Sequence, residues 1–240
     1  MKKITLGLSL LSALVSANAL SAPTANIKVT GDIKPPTCTV NGLTQNDILF
    51  DLGNISPSLI PQSEPYLYPK GIAENTVNIE CDVDTYLTFN ATDTYASSSL
   101  TIPDIITGNK DPVVFHLVDA KDTTKSVGGI FFYWKNVKVD GKAAFISSSN
   151  DANSNASSGN DILVTEVTNG WTNTQQFKVD KNSLDLVAGK LFSATFATPT
   201  NVTSYPTFLL SGKELSDKSI DTSNSVDFIG EAVLTFNFGV

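Results

Sequence analysis

Short runs in which apolar and polar residues alternate recur along the chain, and they constrain its fold more than any other feature. Successive side chains of a strand point to opposite faces, so each run predicts a strand with one apolar face. Turn residues and prolines separate the runs, and helical periodicity is scarce. We therefore predict an all-β protein, and the many short strands favour a β-sandwich. The predicted strands span 27–33, 48–52, 77–81, 86–90, 113–118, 130–139, 143–146, 162–167, 176–179, 191–197, 207–210 and 231–240.

Three segments depart from this pattern. The stretch 147–161 is rich in Ser, Asn and Asp and holds no apolar residue larger than alanine, so we predict a surface loop. A linker between two domains is the alternative interpretation of that stretch. Segments 182–188 and 213–221 could each form a turn or two of helix.

The charge balance excludes several classes of function. The chain of 240 residues carries 16 basic residues, all of them lysine, against 24 acidic ones, for a net charge of -8. An acidic chain repels the phosphate backbone and lacks the arginine fork that reads guanine, so we expect no nucleic-acid partner. A single histidine and two cysteines exclude most His/Cys metal cages. We predict no metal site and no cofactor.

The N-terminus has the features of a secretory signal peptide. A positive start is followed by an apolar stretch over 4–15 and by an Ala-x-Ala motif that ends at Ala19. We therefore predict a signal peptide over 1–19 and a single exported domain over 20–240. Cleavage after Ala22 and a retained membrane anchor are the alternatives.

Export gives a meaning to the only two cysteines. Cys38 and Cys81 allow a single intramolecular pairing, and an oxidising compartment favours a disulfide between them. Its loop would stabilise the fold by about 4 kcal/mol in the chain-entropy model. Two free thiols are the alternative.

A family resemblance rests on a series of short motifs in a fixed order. Strand-like Val29-Thr-Gly31-Asp-Ile33 is followed by Thr37-Cys38-Thr-Val40 and then by Phe50-Asp-Leu52-Gly53. The second cysteine, Cys81, comes some forty residues after the first, in Val77-Asn-Ile79-Glu-Cys81. The other matches are Phe115-His-Leu117-Val118-Asp119, Phe192-Ser-Ala194-Thr-Phe196 and Gly230 with Leu234, Phe236 and Phe238. In this set the chain resembles chaperone–usher fimbrial (pilin) subunits, and most of all the larger fimbrial-like secreted proteins of Gram-negative bacteria.

The resemblance implies an immunoglobulin-like sandwich that lacks one strand, with one disulfide and with long insertions near 95–165 and 197–229. In that family a periplasmic chaperone supplies the strand, and the N-terminal extension of a neighbouring subunit later replaces it by β-augmentation. The residues implied in chaperone pairing and strand exchange are Leu234, Phe236, Phe238 and Val240. Ile27 and Val29 would belong to the donor strand. Gly239 occupies the next-to-last place, where the family usually has an aromatic residue.

We therefore expect a non-enzymatic fimbrial subunit or fimbrial-like surface protein, exported through the periplasm of a Gram-negative bacterium. Its partners would be the fimbrial chaperone, the outer-membrane usher and neighbouring subunits. The alternative is a carbohydrate-binding adhesin with a host glycan or protein receptor, which would need Trp134 or Trp171 at the surface.

Catalytic and metal motifs are weak. We expect His116 to face outward or a polar pocket, because its neighbours Phe115 and Leu117 would point to the opposite face of a strand. No G-x-S-x-G motif accompanies it, so we do not expect His116 to be catalytic. The aromatic run 131–134 is expected to be mainly core. The calcium-like start Asp151-x-Asn153-x-Asn155 lacks the glycine and the final glutamate of a binding loop.

Overall fold

The computed structural model describes residues 25, 27–69, 71–106, 112–151, 161–199, 205–223 and 225–239. Within them the secondary structure is almost entirely β, with one short α-helix, α1 (Gly212–Asp217), and 3₁₀ turns at Pro57–Leu59 and Lys181–Ser183. The strands are β1 (Cys38–Val40), β2 (Tyr66–Leu67), β3 (Glu74–Asp93), β4 (Phe115–Asp119), β5 (Asp122–Ile130), β6 (Tyr133–Val139), β7 (Lys142–Ala143), β8 (Phe145–Ser149), β9 (Asn169–Thr172), β10 (Phe177–Val179), β11 (Ala188–Ala197), β12 (Phe208–Leu209), β13 (Phe228–Ile229) and β14 (Ala232–Phe238).

The strands form two sheets. The larger has the order β10-β8-β9-β3-β11-β6-β7, and β1 and β14 each pair with β3. The smaller has the order β13-β4-β5-β12-β2. All of these pairs are antiparallel except β8 with β10. The prediction of an all-β fold is confirmed, and two sheets around shared buried side chains are compatible with a β-sandwich.

One hydrophobic core joins the two sheets. Phe89 and Trp171 of the larger sheet belong to the same buried cluster as Phe115 and Phe208 of the smaller. The rings of Phe89 and Trp171 lie 5.4 Å apart, and those of Trp171 and Phe192 lie 5.5 Å apart. Aromatic rings supply a large buried area at these favourable distances, so this layer stabilises the packing of the sheets.

Strand β3 is the central element of the larger sheet. The predicted strands 77–81 and 86–90 are parts of this single strand. Its first part pairs with β1 and β11, and its second part pairs with β14 and β9. A break in the apolar alternation at 82–86, where side chains are largely exposed, explains why the sequence predicts two strands.

The predicted strand 130–139 is wrong as a single element. Ile130 ends β5 in the smaller sheet, and Tyr133 begins β6 in the larger sheet. The apolar run therefore crosses from one sheet to the other, and Phe131 is fully buried at the crossing. Local alternation cannot reveal such a crossing, because both halves have strand character.

Several other predicted elements are found with changed bounds. The Asp140-Gly141 turn is confirmed, with both residues at positive φ, but the partner strand 143–146 divides between β7 and β8. Helix α1 lies within the predicted segment 213–221 apart from its first residue, and a capping box between Ser211 and Glu214 starts it. The segment 182–188 forms only part of a 3₁₀ turn.

Within residues 35–240, two predicted strands lack a hydrogen-bonded ladder. Residues 162–167 are mostly buried yet form only isolated bridges, such as Tyr133 with Ile162. Residues 48–52 keep their alternation, with Ile48, Phe50 and Leu52 partly buried, but no strand pairs with them among the described residues. The alternation of apolar residues predicts which side chains turn inward. A strand also needs a neighbouring backbone that forms hydrogen bonds with it, and the alternation does not reveal that partner.

The predicted surface loop 147–161 is wrong over its first three residues, whereas Asn150 and Asp151 are exposed and belong to no strand, as predicted. Ser147, Ser148 and Ser149 belong to β8 and are buried. Asp151 accepts hydrogen bonds from Ser149 and from the main-chain and side-chain donors of Thr168. Serine side chains can be buried when their polar atoms are satisfied, and the sequence does not reveal those partners. Residues 152–160 lie outside the described part of the chain.

The chain divides into two compact units, residues 1–34 and residues 35–240. In the first unit, described residues 27–34 have no regular secondary structure, so the strand predicted over 27–33 is absent there. The side chains of Ile27, Val29 and Ile33 are at least 93% exposed. The predicted signal peptide, residues 1–19, lies outside the described residues. In the part of the chain that the structure describes, no helix is long and apolar enough to span a membrane.

Candidate functional site

The disulfide between Cys38 and Cys81 is confirmed. It joins β1 to β3 at directly paired positions, with 4.1 Å between the two Cα atoms. Cys81 is buried, and Cys38 lies at the border of a large groove. The disulfide therefore fixes the start of the segment that forms one side of that groove.

The groove has a volume of about 1480 Å³ and runs between two stretches of chain. We call residues 44–55 the first wall and residues 225–236, which include β13 and the start of β14, the second wall. Its floor consists of core side chains from both sheets, among them Val77 and Phe196 from the larger sheet and Phe115 and Ile130 from the smaller. The groove therefore opens the core at the place where the two sheets meet.

Strand β14 forms much of the second wall. Among the described residues it pairs with β3 and with no other strand, so its opposite edge carries no strand. Leu234 and Phe236 are partly buried, and Phe236 lies 5.9 Å from the ring of Phe89. Phe238, predicted to share this buried face, remains 48% exposed, and Val240 lies outside the described residues. Apolar side chains at a sheet edge thus border the groove and are only partly covered.

The first wall belongs to no strand, but its burial alternates. Ile48, Phe50 and Leu52 are partly buried against the core, whereas Leu49 between them is 79% exposed. The ring of Phe50 packs at 5.0 Å against that of Phe132. The sequence pattern of 48–52 predicts this alternation but not its place in a groove, because only the fold shows that no described strand pairs with these residues.

A second, smaller pocket surrounds His116, which faces polar groups as predicted. Nδ1 of His116 lies 2.8 Å from Oγ of Ser98 and 3.0 Å from the main-chain oxygen of Tyr95. Oδ2 of Asp93 accepts a hydrogen bond from the main-chain N of His116 but is 4.0 Å from Nδ1. A catalytic triad needs serine and carboxylate on opposite ring nitrogens, whereas all these groups approach Nδ1. The cluster therefore ties the end of β3 to β4.

Asp93 is the ionisable group at the centre of this tie. Burial raises the pKa of the Asp93 carboxyl, although hydrogen bonds from the main-chain N–H groups of Tyr95 and His116 favour its charged form. Both donors are backbone groups, so they hold the carboxylate in place without a mobile cation.

Both tryptophans are buried. Trp134 is 6% exposed and Trp171 is 1% exposed, and Phe131 beside the first is fully buried. The expectation that the aromatic run is mainly core is thus confirmed. A sugar-stacking platform needs an exposed ring face, and in this structure neither Trp134 nor Trp171 has one.

Across the described residues, no group of three or more His, Cys, Asp or Glu side chains is arranged to hold a metal ion. The sequence matches no model of a protein family, and no curated protein is significantly similar to it. The groove is therefore the candidate functional site of this protein.

Proposed function

We propose that the protein is a subunit of a fimbria, or a fimbrial-like surface protein, that is completed by a β-strand from another chain. In this proposal the fold is an immunoglobulin-like sandwich of the pilin type that lacks one strand. The observation that carries the proposal is the groove, which reaches the core of both sheets beside the unpaired edge of β14. Exposed core and an open edge together are an aggregation hazard that an added strand removes.

The shape of the groove favours a strand over a small ligand. Small-molecule sites usually enclose about 300–1,000 Å³, and this larger groove of about 1480 Å³ is lined by twelve consecutive residues of each wall, 44–55 and 225–236. An inserted strand would hydrogen-bond to β14 and send alternate side chains to the apolar floor. The fit to an extended polypeptide supports an assembly role rather than catalysis.

The proposal gives roles to the residues predicted from the resemblance. Leu234, Phe236, Phe238 and Val240 would contact first a periplasmic chaperone and then a neighbouring subunit. Ile27 and Val29 would serve as donor residues, and their nearly complete exposure is compatible with that role. The outer-membrane usher would be a further partner, and the finished protein would lie at the surface of a Gram-negative cell.

Co-expression with the fimbrial chaperone of the same organism tests the proposal. We expect soluble periplasmic protein to be recovered in quantity only when the chaperone is present, because the chaperone covers the groove. Leu234→Asn should reduce capture of the protein by the chaperone, whereas the matched control Thr235→Asn, on the exposed face of β14, should not. Equal recovery with and without the chaperone would contradict the proposal.

A further inference from the structure

The charged side chains that line the groove all have the same sign. They are two aspartates of the first wall, Asp47 and Asp51, and two carboxylates of the second wall, Asp227 and Glu231. All four are exposed, and none forms an ion pair within the described part of the chain. No lysine and no histidine is among the described residues that line the groove. The groove thus has a floor of apolar core side chains and carboxylates in both walls.

Three of these carboxylates share the outward face of their walls. Asp47 and Asp51 occupy the exposed positions that alternate with the inward-turned Ile48 and Phe50. Glu231 is exposed and directly precedes Ala232, the first partly buried residue of β14. Outward side chains of an inserted strand would therefore have carboxylates as cross-strand neighbours on each side.

We propose, on the basis of the function proposed above, that the groove selects an incoming strand with lysine or arginine at its outward positions. Opposite charges across neighbouring strands stabilise the pair, whereas like charges directly opposite one another destabilise it. Apolar side chains on the inner face would supply affinity, and the outward charges would distinguish among strands with equal apolar faces.

The chain itself contains a segment with this pattern. In residues 27–34, Ile27, Val29 and Ile33 alternate with Lys28, Thr30, Asp32 and Lys34. Two lysines against one aspartate give the alternate face a net positive charge, in a protein whose overall net charge is -8. This segment supplies a natural template for the strand that the groove would accept.

Two synthetic peptides based on residues 25–35 test the inference on the full-length protein. One carries lysine at positions 28, 32 and 34, and the other carries glutamate at the same positions, so that the apolar face is unchanged. At an ionic strength of about 0.01 M we expect the lysine peptide to bind about tenfold more tightly. At about 1 M salt, where screening acts over a few ångströms, the two affinities should be within about twofold of each other.

A matched pair of variants separates the groove from the net charge of the protein. Asp47→Asn, Asp51→Asn, Asp227→Asn and Glu231→Gln together should abolish the preference for the lysine peptide. Glu64→Gln, Glu80→Gln, Asp84→Asn and Asp104→Asn, which neutralise four exposed carboxylates that do not line the groove, should leave it intact.

The outcomes distinguish this inference from the proposed function. If both peptides bind equally at low salt, or the glutamate peptide binds more tightly, the charge selection is overturned while strand acceptance stands. An equal loss of preference in the two sets of variants would likewise overturn it, since net charge alone would then explain the effect. If neither peptide binds at any salt concentration, the proposed function itself fails.

Discussion

The Asp151 side chain anchors the stretch 147–161, which the sequence predicts to be a surface loop. Partial burial raises the pKa of its carboxyl, but the hydrogen bonds from Ser149 and Thr168 outweigh that effect and lower the pKa overall. Oδ1 accepts from the main-chain N of Thr168 at 3.0 Å, and Oδ2 accepts from its Oγ1 at 2.5 Å. The charged carboxylate therefore joins the end of β8 to the start of the β9 region.

We predict that Asp151→Ala lowers the free energy of unfolding by about 1–3 kcal/mol, because buried donors lose a charged acceptor. A carboxyl with a lowered pKa in the fold contributes stability above its unfolded value of 3.8, and that contribution is lost as the pH falls below it. Urea unfolding of wild type and variant should therefore differ at about pH 7 and converge near about pH 2.

Two controls accompany this prediction. Asp84→Ala removes an exposed carboxylate of β3 and should change the stability by less than about 0.5 kcal/mol. Deleting residues 152–159, with Asp151 retained, should also change it little, because closure entropy varies only logarithmically with loop length. A loss with the deletion as large as that with Asp151→Ala would contradict the special role of Asp151.

Strand β14 packs against the core through Phe236, and one of its edges pairs with no strand among the described residues. Phe236 contacts the rings of Phe89 and Trp171 at 5.9 and 6.5 Å, but its side chain is only partly buried beside the groove. Thr235 next to it is exposed. Phe236 and Thr235 therefore lie on opposite faces of β14.

We predict that Phe236→Ala destabilises the isolated protein by about 2–4 kcal/mol, toward the lower part of the range for aromatic truncations, because burial is incomplete. Thr235→Ala should cost less than about 1 kcal/mol. Denaturant unfolding of both variants checks the prediction. Equal destabilisation by the two changes would mean that the register of β14 is different.

Local pattern predicted those elements whose environment is set by their own residues. The alternation of 191–197 and 231–240 predicted β11 and β14 with small errors, and two cysteines allowed only one disulfide. The groove was not predicted directly, because it depends on how distant parts of the chain cover the edges of the two sheets. The break after Ile130 and the burial of Ser147 also depend on distant partners, so no local pattern could reveal them.

If Ile27 and Val29 act as donor residues, changing them should block assembly without changing the stability of the fold. We predict that Ile27→Asp with Val29→Asp leaves the free energy of unfolding within about 0.5 kcal/mol of wild type, because exposed side chains contribute little. The same double variant should abolish self-assembly if these residues act as donors, since a charge on the inner face of a strand cannot enter an apolar groove.

Size-exclusion chromatography after removal of the chaperone would measure this assembly. Thr30→Ser changes the alternate face of the same segment without altering its charge, and it should preserve the assembly. Assembly by the double aspartate variant would show that other residues form the contact.

The pairing of β3 with β14 sets the order in which the protein can be completed. Thr88 in β3 donates a hydrogen bond to the main-chain oxygen of Asn237, and the two residues are 149 positions apart in sequence. Contacts of such high sequence separation form slowly, because a long loop must close before they contribute. As a chain emerges N-terminus first, this edge of the second half of β3 stays unpaired until β14 has been made. A longer time in that state exposes an open strand edge to other chains, so slow completion of this pair favours aggregation.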